Sequence, residues 1–282
     1  MITIIVPCYN ERYLIERKID NLLFNYPVDK MEIVIVDGGS TDGSFELAKE
    51  KAEVINLRHN QKILNLYNAV TVYKSEKGKT RQLNYGLSKA HGEIIFVTDV
   101  DAVMDKGCIS QIMRFFSDEK VGVVGAWTLL KDSVIVDKCY WYVANWIRYL
   151  ESKFISASHV VAPCYAFRKN LLERLPDDVV ADDVHISMVA SFKGLRIKYV
   201  KSAVVYEIRS PMTLAQFYHH KMRKGRAFLK ELLRFIYLIP TVRGRQKIIY
   251  LLRLIQFTLL TPTVFVSYFF KNDNSCYPKT GK

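Results

Sequence analysis

A short apolar stretch followed by two carboxylates constrains the fold of this chain more than any other feature. Residues 94–97 are four consecutive apolar residues rich in β-branched side chains, which predicts a strand buried on both faces. Asp99 and Asp101 follow at its carboxyl end. In an open α/β sheet, ligands bind at that end of the strands. Residues 92–101 therefore predict an α/β fold with a ligand site where these carboxylates lie.

The spacing of Asp99 and Asp101 suits a hard divalent cation. Where a strand loosens into a turn, carboxylates at positions i and i+2 can converge on Mg²⁺ or Mn²⁺, which keeps open positions for phosphate oxygens. An ordinary acidic loop is the alternative for so common a pair. The position behind a buried strand favours the metal and diphosphate interpretation.

The size and composition indicate a folded cytosolic protein. The chain has 282 residues, half of them hydrophobic, which is enough for one domain with an extension or for two small domains. Residues 1–7 have no basic lead and too short an apolar run for a signal peptide, so they predict a first strand. The five cysteines are odd in number and lack paired spacing, which argues against a disulfide framework or a zinc site.

The positive charge of the chain is concentrated near its C-terminus. The formal net charge is +13, and residues 209–253 contain eleven Lys or Arg and one acid, Glu231. The first 208 residues are therefore close to neutral. Such a basic block indicates an anionic partner, namely a phosphate-bearing substrate, an anionic membrane surface or a nucleic acid.

Other strand patterns place a further carboxylate beside Asp99 and Asp101. Residues 2–6 and 32–37 both read as buried strands, and the second ends at Asp37. Successive strand ends of a parallel sheet lie along one edge, so these carboxylates are expected to be neighbours. Further strands are predicted near 54–57, 70–73, 121–126 and 196–206, and helices near 45–51 and 109–116.

Two further segments carry charges at the start of predicted helices. Residues 78–90 are a loop entering a helix, with Lys79 and Arg81 where exposed N–H groups favour anions, although surface lysine or arginine is the plain alternative for each. Residues 176–186 hold two adjacent acidic pairs, the second being Asp182 and Asp183. Helix capping explains one carboxylate well and two pairs less well.

The aromatic stretch 140–150 is predicted to be a helix. It could line an acceptor groove. An aromatic stripe at helical spacing is more often part of a core, and we favour that interpretation.

The C-terminal part combines a basic amphipathic helix with a hydrophobic stretch. Residues 213–238 carry apolar side chains on one side and basic ones, such as Arg223, on the other, which predicts a helix lying on a membrane with its apolar face inward. Residues 248–270 contain one charge, Arg253, and are long enough to span ~30 Å of hydrocarbon. Because Pro262 lies inside this stretch, an interfacial or re-entrant helix is nearly as favoured, and a helix packed on the soluble domain is a third possibility. The upstream basic residues predict a cytosolic location for the preceding domain.

Taken in order, six motifs resemble those of the inverting family-2 glycosyltransferases of the GT-A fold, including cellulose-synthase-like and polyprenyl-phosphate sugar transferases. The resemblance covers residues 2–226 and depends on the ordered set rather than on any one motif. The motifs are Pro-x-Tyr-Asn-Glu at 7–11, the Asp-Gly-Ser-x-Asp-Gly turn at 37–44, the Gly-Lys helix at 78–90, Asp-x-Asp at 99–101, Ala-Phe-Arg-Lys at 166–169 and Ala-Asp-Asp at 181–183.

This resemblance implies a Rossmann-like mixed, mostly parallel sheet with helices on both faces, plus C-terminal amphipathic and hydrophobic helices. It also implies a UDP- or GDP-linked sugar donor and Mg²⁺ or Mn²⁺. Tyr9 would stack on the nucleotide base, and Lys79 and Arg81 would lie near the diphosphate. The full set implied to bind the donor is Pro7, Tyr9, Glu11, Asp37, Lys79, Arg81, Asp99 and Arg223, and the set implied to hold the metal is Asp101 and Asp99.

The same resemblance implies an in-line displacement at the anomeric carbon. A metal at Asp101, with Lys79 or Arg223, would stabilise the departing nucleoside diphosphate. Asp183, with Asp182 beside it, would take the proton from an acceptor hydroxyl. A lipid phosphate acceptor is already anionic and would need a base less, so both a lipid-linked and a glycan acceptor stay open.

The sequence departs from the family pattern at three places. Asp182 stands where the family usually has Glu, and Cys164 stands where it often has Gly. The helix after Gln216 has the charges of the processive members' Gln-x-x-Arg-Trp without the tryptophan. The last departure argues against processive synthesis of a long polymer.

The motifs divide the chain into three parts. A catalytic domain is predicted at 1–208, with a donor half of about 1–103 and an acceptor half of about 104–208, followed by an interface helix at 209–240 and a membrane-associated segment at 241–282. The predicted location is the cytoplasmic face of the cell membrane. A nucleotidyltransferase on a similar sheet is an alternative. A nucleic-acid or anionic-surface binding module is another, but the neutral first 208 residues disfavour it, and no nucleic-acid partner is expected.

Overall fold

A computed structural model describes residues 1–60, 69–241 and 246–255 of the chain. Within these residues, the strands are β1 (Ile2–Cys8), β2 (Met31–Asp37), β3 (Val70–Lys74), β4 (Ile94–Thr98), β5 (Ala102–Met104), β6 (Val121–Leu130), β7 (Cys164–Arg168) and β8 (Arg196–Glu207). The α-helices are α1 (Ile15–Asn25), α2 (Ser44–Asn60), α3 (Lys79–Lys89), α4 (Cys108–Met113), α5 (Ile135–Phe154), α6 (Asp182–Phe192), α7 (Leu214–Arg234) and α8 (Gln246–Ile255).

The strands form one mixed sheet in the order β3-β2-β1-β4-β7-β6-β8-β5. Strands β3, β2, β1 and β4 run parallel to one another. Strand β7 is antiparallel to β4 and β6, β8 is parallel to β6, and β5 is antiparallel to β8. Since β1, β2 and β4 are adjacent and parallel, the residues that follow their carboxyl ends lie along one edge, as predicted.

Two apolar layers cover the sheet, one on each face. Strand β1 shows how the period of two divides its side chains, because Ile4 and Val6 enter one layer and Ile5 enters the other. Helices α1, α2 and α4 pack on the first layer, and α3, α5 and α6 pack on the second. The expected mixed sheet with helices on both faces is therefore confirmed.

One predicted strand was wrong, one predicted helix end was wrong, and one strand was missed. The strand predicted near 54–57 lies inside α2, where Ala48 and Ala52 recur at helical spacing and pack on the core. The helix predicted at 109–116 ends at Met113 and continues as a 3₁₀ turn over Arg114–Ser117. Strand β5 follows Asp101 at once and is only three residues long, too short for an alternating pattern to reveal it.

The core interpretation of the aromatic stretch holds for Trp141, Trp146 and Tyr149, which pack on the second apolar layer, and is wrong for Tyr140 and Tyr142. Trp141, Asn145 and Arg148 are buried, and they recur at the spacing of one helical face. Other side chains on this helix are well exposed: Tyr140, Tyr142, Val143, Ile147, Leu150 and Phe154. Helix α5 thus carries more apolar residues than its buried face accommodates, and the others are exposed.

Helix α7 begins with a capping box formed by Thr213 and Gln216. Its C-terminal half buries Phe228, Leu229 and Leu232, two of which form a cluster with side chains of α6 and α8. The prediction that this apolar face points into a membrane is therefore wrong for the C-terminal half, which packs on the protein itself.

The predicted membrane segment 248–270 lies largely outside the described residues. Its first part, up to Ile255, belongs to α8. No helix in the part of the chain that the structure describes is both long and apolar enough to cross a bilayer.

Candidate active site

The ammonium group of Lys79 joins two elements at the carboxyl edge of the sheet. Lys79 is the first residue of α3, and its Nζ lies 2.8 Å from Oδ1 of Asp99 and 3.5 Å from Oδ1 of Asp182. Burial alone would lower the pKa of Lys79, but the charges of Asp182 and Asp99 outweigh burial and hold that pKa above its usual value. Lys79 therefore stays charged and links the end of β4 to the start of α6.

A second cation, Arg209, links the Asp-x-Asp turn to the end of β1. Its guanidinium pairs with Glu11, and its Nε lies 3.7 Å from Oδ2 of Asp101. Burial and the neighbouring Asp99 raise the pKa of Asp101, while Arg209 and Lys18 act in the opposite direction. Sequence analysis did not single out Arg209. Its position just beyond the end of a strand is the signal that could have identified it.

The buried side chain of Lys18 supports the Asp-x-Asp turn through two hydrogen bonds. The Nζ of Lys18, on α1, donates to Oγ1 of Thr98 at 2.7 Å and to the carbonyl oxygen of Ala102 at 2.5 Å. Burial lowers the pKa of Lys18 to about 8, although Asp99 and Asp101 oppose that shift. Sequence analysis also missed this residue. The available signal was a lysine one turn after Ile15, on the apolar face of its helix.

The oxygen atoms of Asp99 and Asp101 fit a hard divalent cation. The two side chains are 31% and 24% exposed, so their oxygens are accessible to a ligand. Across the described ranges, no group of three or more His, Cys, Asp or Glu side chains is placed to hold a metal. Two carboxylates, with the remaining positions left to water and diphosphate oxygens, are typical of Mg²⁺ sites. Burial first and the charge of Asp99 second disfavour the ionised form of Asp101, and a bound cation would offset both effects.

Asp37 is engaged in its own turn. Its Oδ2 accepts hydrogen bonds from the backbone N–H groups of Gly39 and Ser40, at 2.9 and 2.8 Å, and Ser40 also bonds to it through its hydroxyl. The hydroxyl of Ser40 accepts from the N–H of Asn10 at 2.8 Å. Asp37 therefore fixes the loop that carries Glu11, and its implied contact with ribose or base remains a prediction.

The aromatic ring of Tyr9 lies beside a cation just beyond β1, the strand that contains Pro7. The Nζ of Lys77 donates to the Tyr9 hydroxyl at 3.0 Å and lies 4.4 Å from the ring centroid. An aromatic face next to a positive charge suits a nucleotide, although nothing in the geometry selects a particular base.

The two acidic residues that open α6 have different surroundings. Asp182 is almost fully buried, and its Oδ2 accepts a hydrogen bond of 2.6 Å from the hydroxyl of Tyr165. Asp183 is half-buried, and its Oδ1 accepts from the N–H of Val184 at 2.9 Å. Burial and the charge of Asp182 raise the pKa of Asp183 to about 6, against the opposing charge of Lys79. Asp182 is thus held by Tyr165 and Lys79, whereas Asp183 has the proton affinity of a base that works near neutral pH.

Two residues that were predicted to bind the donor make no contact, among the described residues, with Lys79 or with the carboxylates around it. Arg81 pairs with Glu76, and Arg223 is exposed on α7. The neighbouring Lys224 acts on the cluster instead, because its charge lowers the pKa of Asp183 and opposes the burial that raises the pKa of Glu207. A one-residue difference along a helix rotates a side chain by about 100°, which motif alignment does not resolve.

Glu207 is a further acid near the site that sequence analysis missed. It is the last residue of β8 and is 9% exposed. Burial raises its pKa, and the charges of Asp101 and Asp99 add to that effect. Its Oε2 has no hydrogen-bond partner within residues 1–60, 69–241 and 246–255. The strand end where it lies is the same kind of position that drew attention to Asp37.

Comparisons with known protein families give a consistent result. The model described as glycosyl transferase family 2 matches residues 3–176, and that described as glycosyl transferase family group 2 matches residues 94–272. Among curated proteins, probable glycosyltransferase YdaM of Bacillus subtilis is 24% identical, over 83% of this chain and 57% of its own length. Poly-beta-1,6-N-acetyl-D-glucosamine synthase of Staphylococcus aureus (strain COL) is 24% identical, over 83% of this chain and 56% of its own length. The chain therefore spans little more than half the length of these relatives.

Solved structures with a similar fold include two sugar transferases. The mannosyltransferase PcManGT from Pyrobaculum calidifontis, in complex with GDP-Man and Mn²⁺, has a TM-score of 0.73 and 27% identity over 95% of this chain and 72% of its own. Glucosyl-3-phosphoglycerate synthase from Mycobacterium tuberculosis has a TM-score of 0.56 and 17% identity over 82% of this chain and 79% of its own, and this likeness concerns the fold alone.

Proposed function

The chain is a member of glycosyl transferase family 2, and on that premise we propose that it transfers a sugar from a nucleoside-diphosphate sugar to an acceptor, with inversion at the anomeric carbon. The similar mannosyltransferase, whose solved complex contains GDP-Man and Mn²⁺, supports a nucleotide-sugar donor and a divalent metal. The proposed activity concerns this chain, which corresponds to only part of the length of its curated relatives.

The position of Lys79 is the main support for this proposal. Lys79 contacts Asp99, at the end of β4, and Asp182, at the start of α6, so a donor-side carboxylate and the acidic pair of the acceptor side meet at one cation. In an in-line displacement the leaving group and the attacking acceptor hydroxyl meet at one carbon atom, so the donor and acceptor sides of a transferase site must adjoin. In a binding module whose acidic residues only cap helices, nothing would require these two carboxylates to share one cation.

The donor is proposed to bind along the edge formed by β1, β2 and β4. Tyr9 would offer its ring to the base, and Glu11, on the loop that Asp37 fixes, would hydrogen-bond the ribose or the base. Asp99 and Asp101 would hold Mg²⁺ or Mn²⁺, which when bound neutralises charge on the departing diphosphate. Lys79 adds a fixed positive charge at the same place and needs no reorganisation to do so.

Asp183 is proposed to be the general base. Its pKa of about 6 keeps it ionised at neutral pH while leaving it basic enough to accept a proton as an acceptor hydroxyl attacks. Asp182 positions Lys79 and Tyr165 and shares no such freedom, because both of its oxygens are in contact with these groups.

The acceptor is proposed to be a growing glycan or a lipid-linked molecule at the cytoplasmic face of the membrane. The positive charge concentrated in residues 209–253 supports an anionic membrane surface or an anionic acceptor. The two possibilities share the surface formed by α5 and α7, which adjoins the acidic pair through Lys224.

Donor hydrolysis tests the proposed activity directly. Incubating the purified chain with a panel of UDP- and GDP-linked sugars and Mn²⁺ should release one sugar together with the nucleoside diphosphate, and chelation should stop it. Release of a sugar phosphate with the nucleoside monophosphate would instead indicate nucleotidyl chemistry. No turnover with any donor, in the presence of metal and membrane extract as the source of acceptor, would contradict the proposal.

A further inference from the structure

A cavity of about 450 Å³ lies between α5, α7 and α8, on the side of α5 away from the sheet. Its walls are largely apolar and include Val136, Val143 and Ile147 of α5 and Phe217 of α7. Two arginines also line it, Arg148 and Arg253. Apolar walls with a few convergent polar groups are typical of a site for an amphiphilic small molecule.

Arg148 is an unusual lining residue because it is buried and two of its nitrogen atoms lack a hydrogen-bond acceptor. It is only 7% exposed, and its Nη2 donates to Nε2 of His159 at 3.2 Å. Its Nε and Nη1 have no hydrogen-bond partner among the described residues. An unpaired buried donor on a charged group is costly, so such a side chain is expected to have an acceptor when the site is in use.

The charges around the cavity are also unbalanced. Arg253 is compensated by Glu151, whose Oε1 lies 2.9 Å from its Nη2. The described residues give Arg148 no carboxylate contact. Burial and the charges of Arg148 and Arg253 hold the pKa of His159 far below its usual value, so His159 is neutral and accepts from Arg148. Among the described residues, the cavity therefore has one positive charge more than the neighbouring acids neutralise.

The opening of the cavity is bordered by exposed apolar side chains. Val136, Tyr140 and Val143, which line the cavity from α5, are each about half exposed. A hydrocarbon chain that leaves the cavity would thus stay in contact with apolar surface. A buried cation inside the cavity and apolar side chains at its opening together suit a ligand with an anionic group and a hydrocarbon chain.

We propose that this cavity binds a single-chain lipid phosphate, with the phosphate at Arg148 and the chain along Val143, Ile147 and Phe217. A phosphate monoester supplies three acceptor oxygens, which can serve the two unpartnered donors of Arg148 better than a carboxylate can. The guanidinium fork is also suited to bidentate phosphate contacts. This inference goes beyond the proposed function, because the site holds whether or not the bound lipid accepts a sugar.

A continuous layer of side chains connects the cavity to the candidate active site. Lys221 lies 3.8 Å from the ring centroid of Tyr140 and 5.3 Å from that of Phe217, both of which line the cavity. Lys221 and Lys224 both lie over Trp141, at 5.2 and 5.4 Å. Lys224 in turn acts on Asp183. These side chains therefore lie between a lipid in the cavity and the residues around the proposed base.

Calorimetric titration of the full chain with decyl phosphate, kept below its micelle concentration, tests the site. We expect decyl phosphate to bind at least ~10-fold more tightly than decanol, decanoate or inorganic phosphate, since only it supplies both parts of the ligand. Arg148→Met should lose that preference. Lys138→Gln, which removes an exposed cation from the same helix, should bind like the wild type.

A second variant protects the test against misfolding. Ala144→Phe places bulk into the cavity and keeps Arg148, so it should also weaken decyl phosphate binding by at least ~10-fold. Removing an uncompensated buried charge should leave the melting temperature of Arg148→Met no lower than that of the wild type. Equal binding of decyl phosphate by the wild type and both variants would overturn the proposal. So would the absence of binding to the wild type.

Donor hydrolysis on the same preparation separates this inference from the proposed function. A protein that hydrolyses a sugar nucleotide but does not bind decyl phosphate overturns the lipid site and leaves the transferase proposal standing. A protein that binds decyl phosphate with the expected variant pattern but turns over no donor does the reverse.

Discussion

The Nζ of Lys79 lies 2.8 Å from the carboxylate of Asp99, and the same ammonium group lies 3.5 Å from Asp182. The residue before Lys79, Gly78, has a φ of 132°, in the region that favours glycine, and it allows the chain to turn into α3 so that the ammonium group meets both acids. Lys79 thereby connects groups with different proposed tasks. It pairs with Asp99 and Asp182, and its charge also lowers the pKa of Asp183.

Replacing Lys79 should change the pH dependence of transfer as well as its rate. In Lys79→Gln the pKa of Asp183 loses an opposing positive charge, so the acidic limb of the kcat profile should move to higher pH. The loss of a fixed charge near the leaving group should lower kcat by at least ~10-fold. Lys89→Gln, at the other end of α3, is the matched control and should leave the profile unchanged. An unshifted limb with a reduced rate would show that Lys79 does not communicate with the base.

Asp183→Asn should lower kcat by at least ~10²-fold and leave the affinity for the donor nearly intact, since an amide cannot accept the proton. In the wild type, kcat should fall as the pH drops below about 6, because Asp183 is then protonated. Asp182→Asn is the informative comparison: its amide oxygen can still accept from Tyr165, so its loss in kcat should be smaller. The opposite order of the two variants would assign the base to Asp182.

Much of this site follows from strand ends that the sequence already reveals. The buried runs before Asp37 and Asp99 predict both their strands and the shared edge, because a parallel sheet places its carboxyl ends together. The cations were harder to predict. Lys79 was found because it begins a helix, but Lys18 and Arg209 reach the same edge from α1 and from beyond β8, and only the tertiary packing shows this.

The errors have a common physical origin in short or ambiguous patterns. Residues 54–57 are apolar enough for a strand, yet the helical repeat of Ala48 and Ala52 continues through them and decides the outcome. In α5, the aromatic stripe predicted a core, which holds for Trp141, Trp146 and Tyr149 but not for the exposed Tyr140 and Tyr142. Composition does not tell an apolar face that contacts the sheet from one that borders a cavity.

Asp101→Asn should abolish transfer, because an amide lacks the charge that holds a hard cation. Activity measured against Mn²⁺ concentration should show no recovery at any concentration tested. Asp105→Asn, four residues further and exposed, should retain the wild-type dependence on the metal. Wild-type activity that persists in excess chelator would rule out a role for the metal and with it this reason for the loss.

Asp183→Asn should also stabilise the protein at alkaline pH. The pKa of Asp183 is raised from 3.8 to about 6 on folding, so its contribution to stability is lost as the pH rises through this window. At pH 8 the variant should gain about 1–3 kcal/mol in the free energy of unfolding, and at pH 4 the difference should nearly vanish. Urea denaturation at both pH values measures this, with the exposed Asp132→Asn as the control, expected to change by less than ~0.5 kcal/mol. A variant less stable than the wild type at pH 8 would show that the carboxylate has a structural role.

Attachment to the membrane can be tested by truncation, and the contacts of α8 determine where the chain should be cut. A truncation near Ile239 would remove Tyr250, which is 1% exposed and bonds through its hydroxyl to Oγ of Ser191 at 2.7 Å. It would therefore damage the cluster that joins α6, α7 and α8. A truncation after Ile255 keeps that cluster and removes only residues 256–282, which lie outside the described ranges.

We expect the full chain to stay with membranes after a high-salt wash, since the hydrophobic stretch does not depend on charge for its attachment. The chain ending at Ile255 keeps the basic residues of α7 and the exposed apolar residues of α5 and α8. Its remaining attachment should be largely electrostatic and should be released by salt, because exposed charges are screened within a Debye length. Sedimentation of both proteins with vesicles, with and without salt, compares them directly. A full chain that is soluble without detergent, or a truncated chain that resists the salt wash, would show that residues 256–282 are not the anchor.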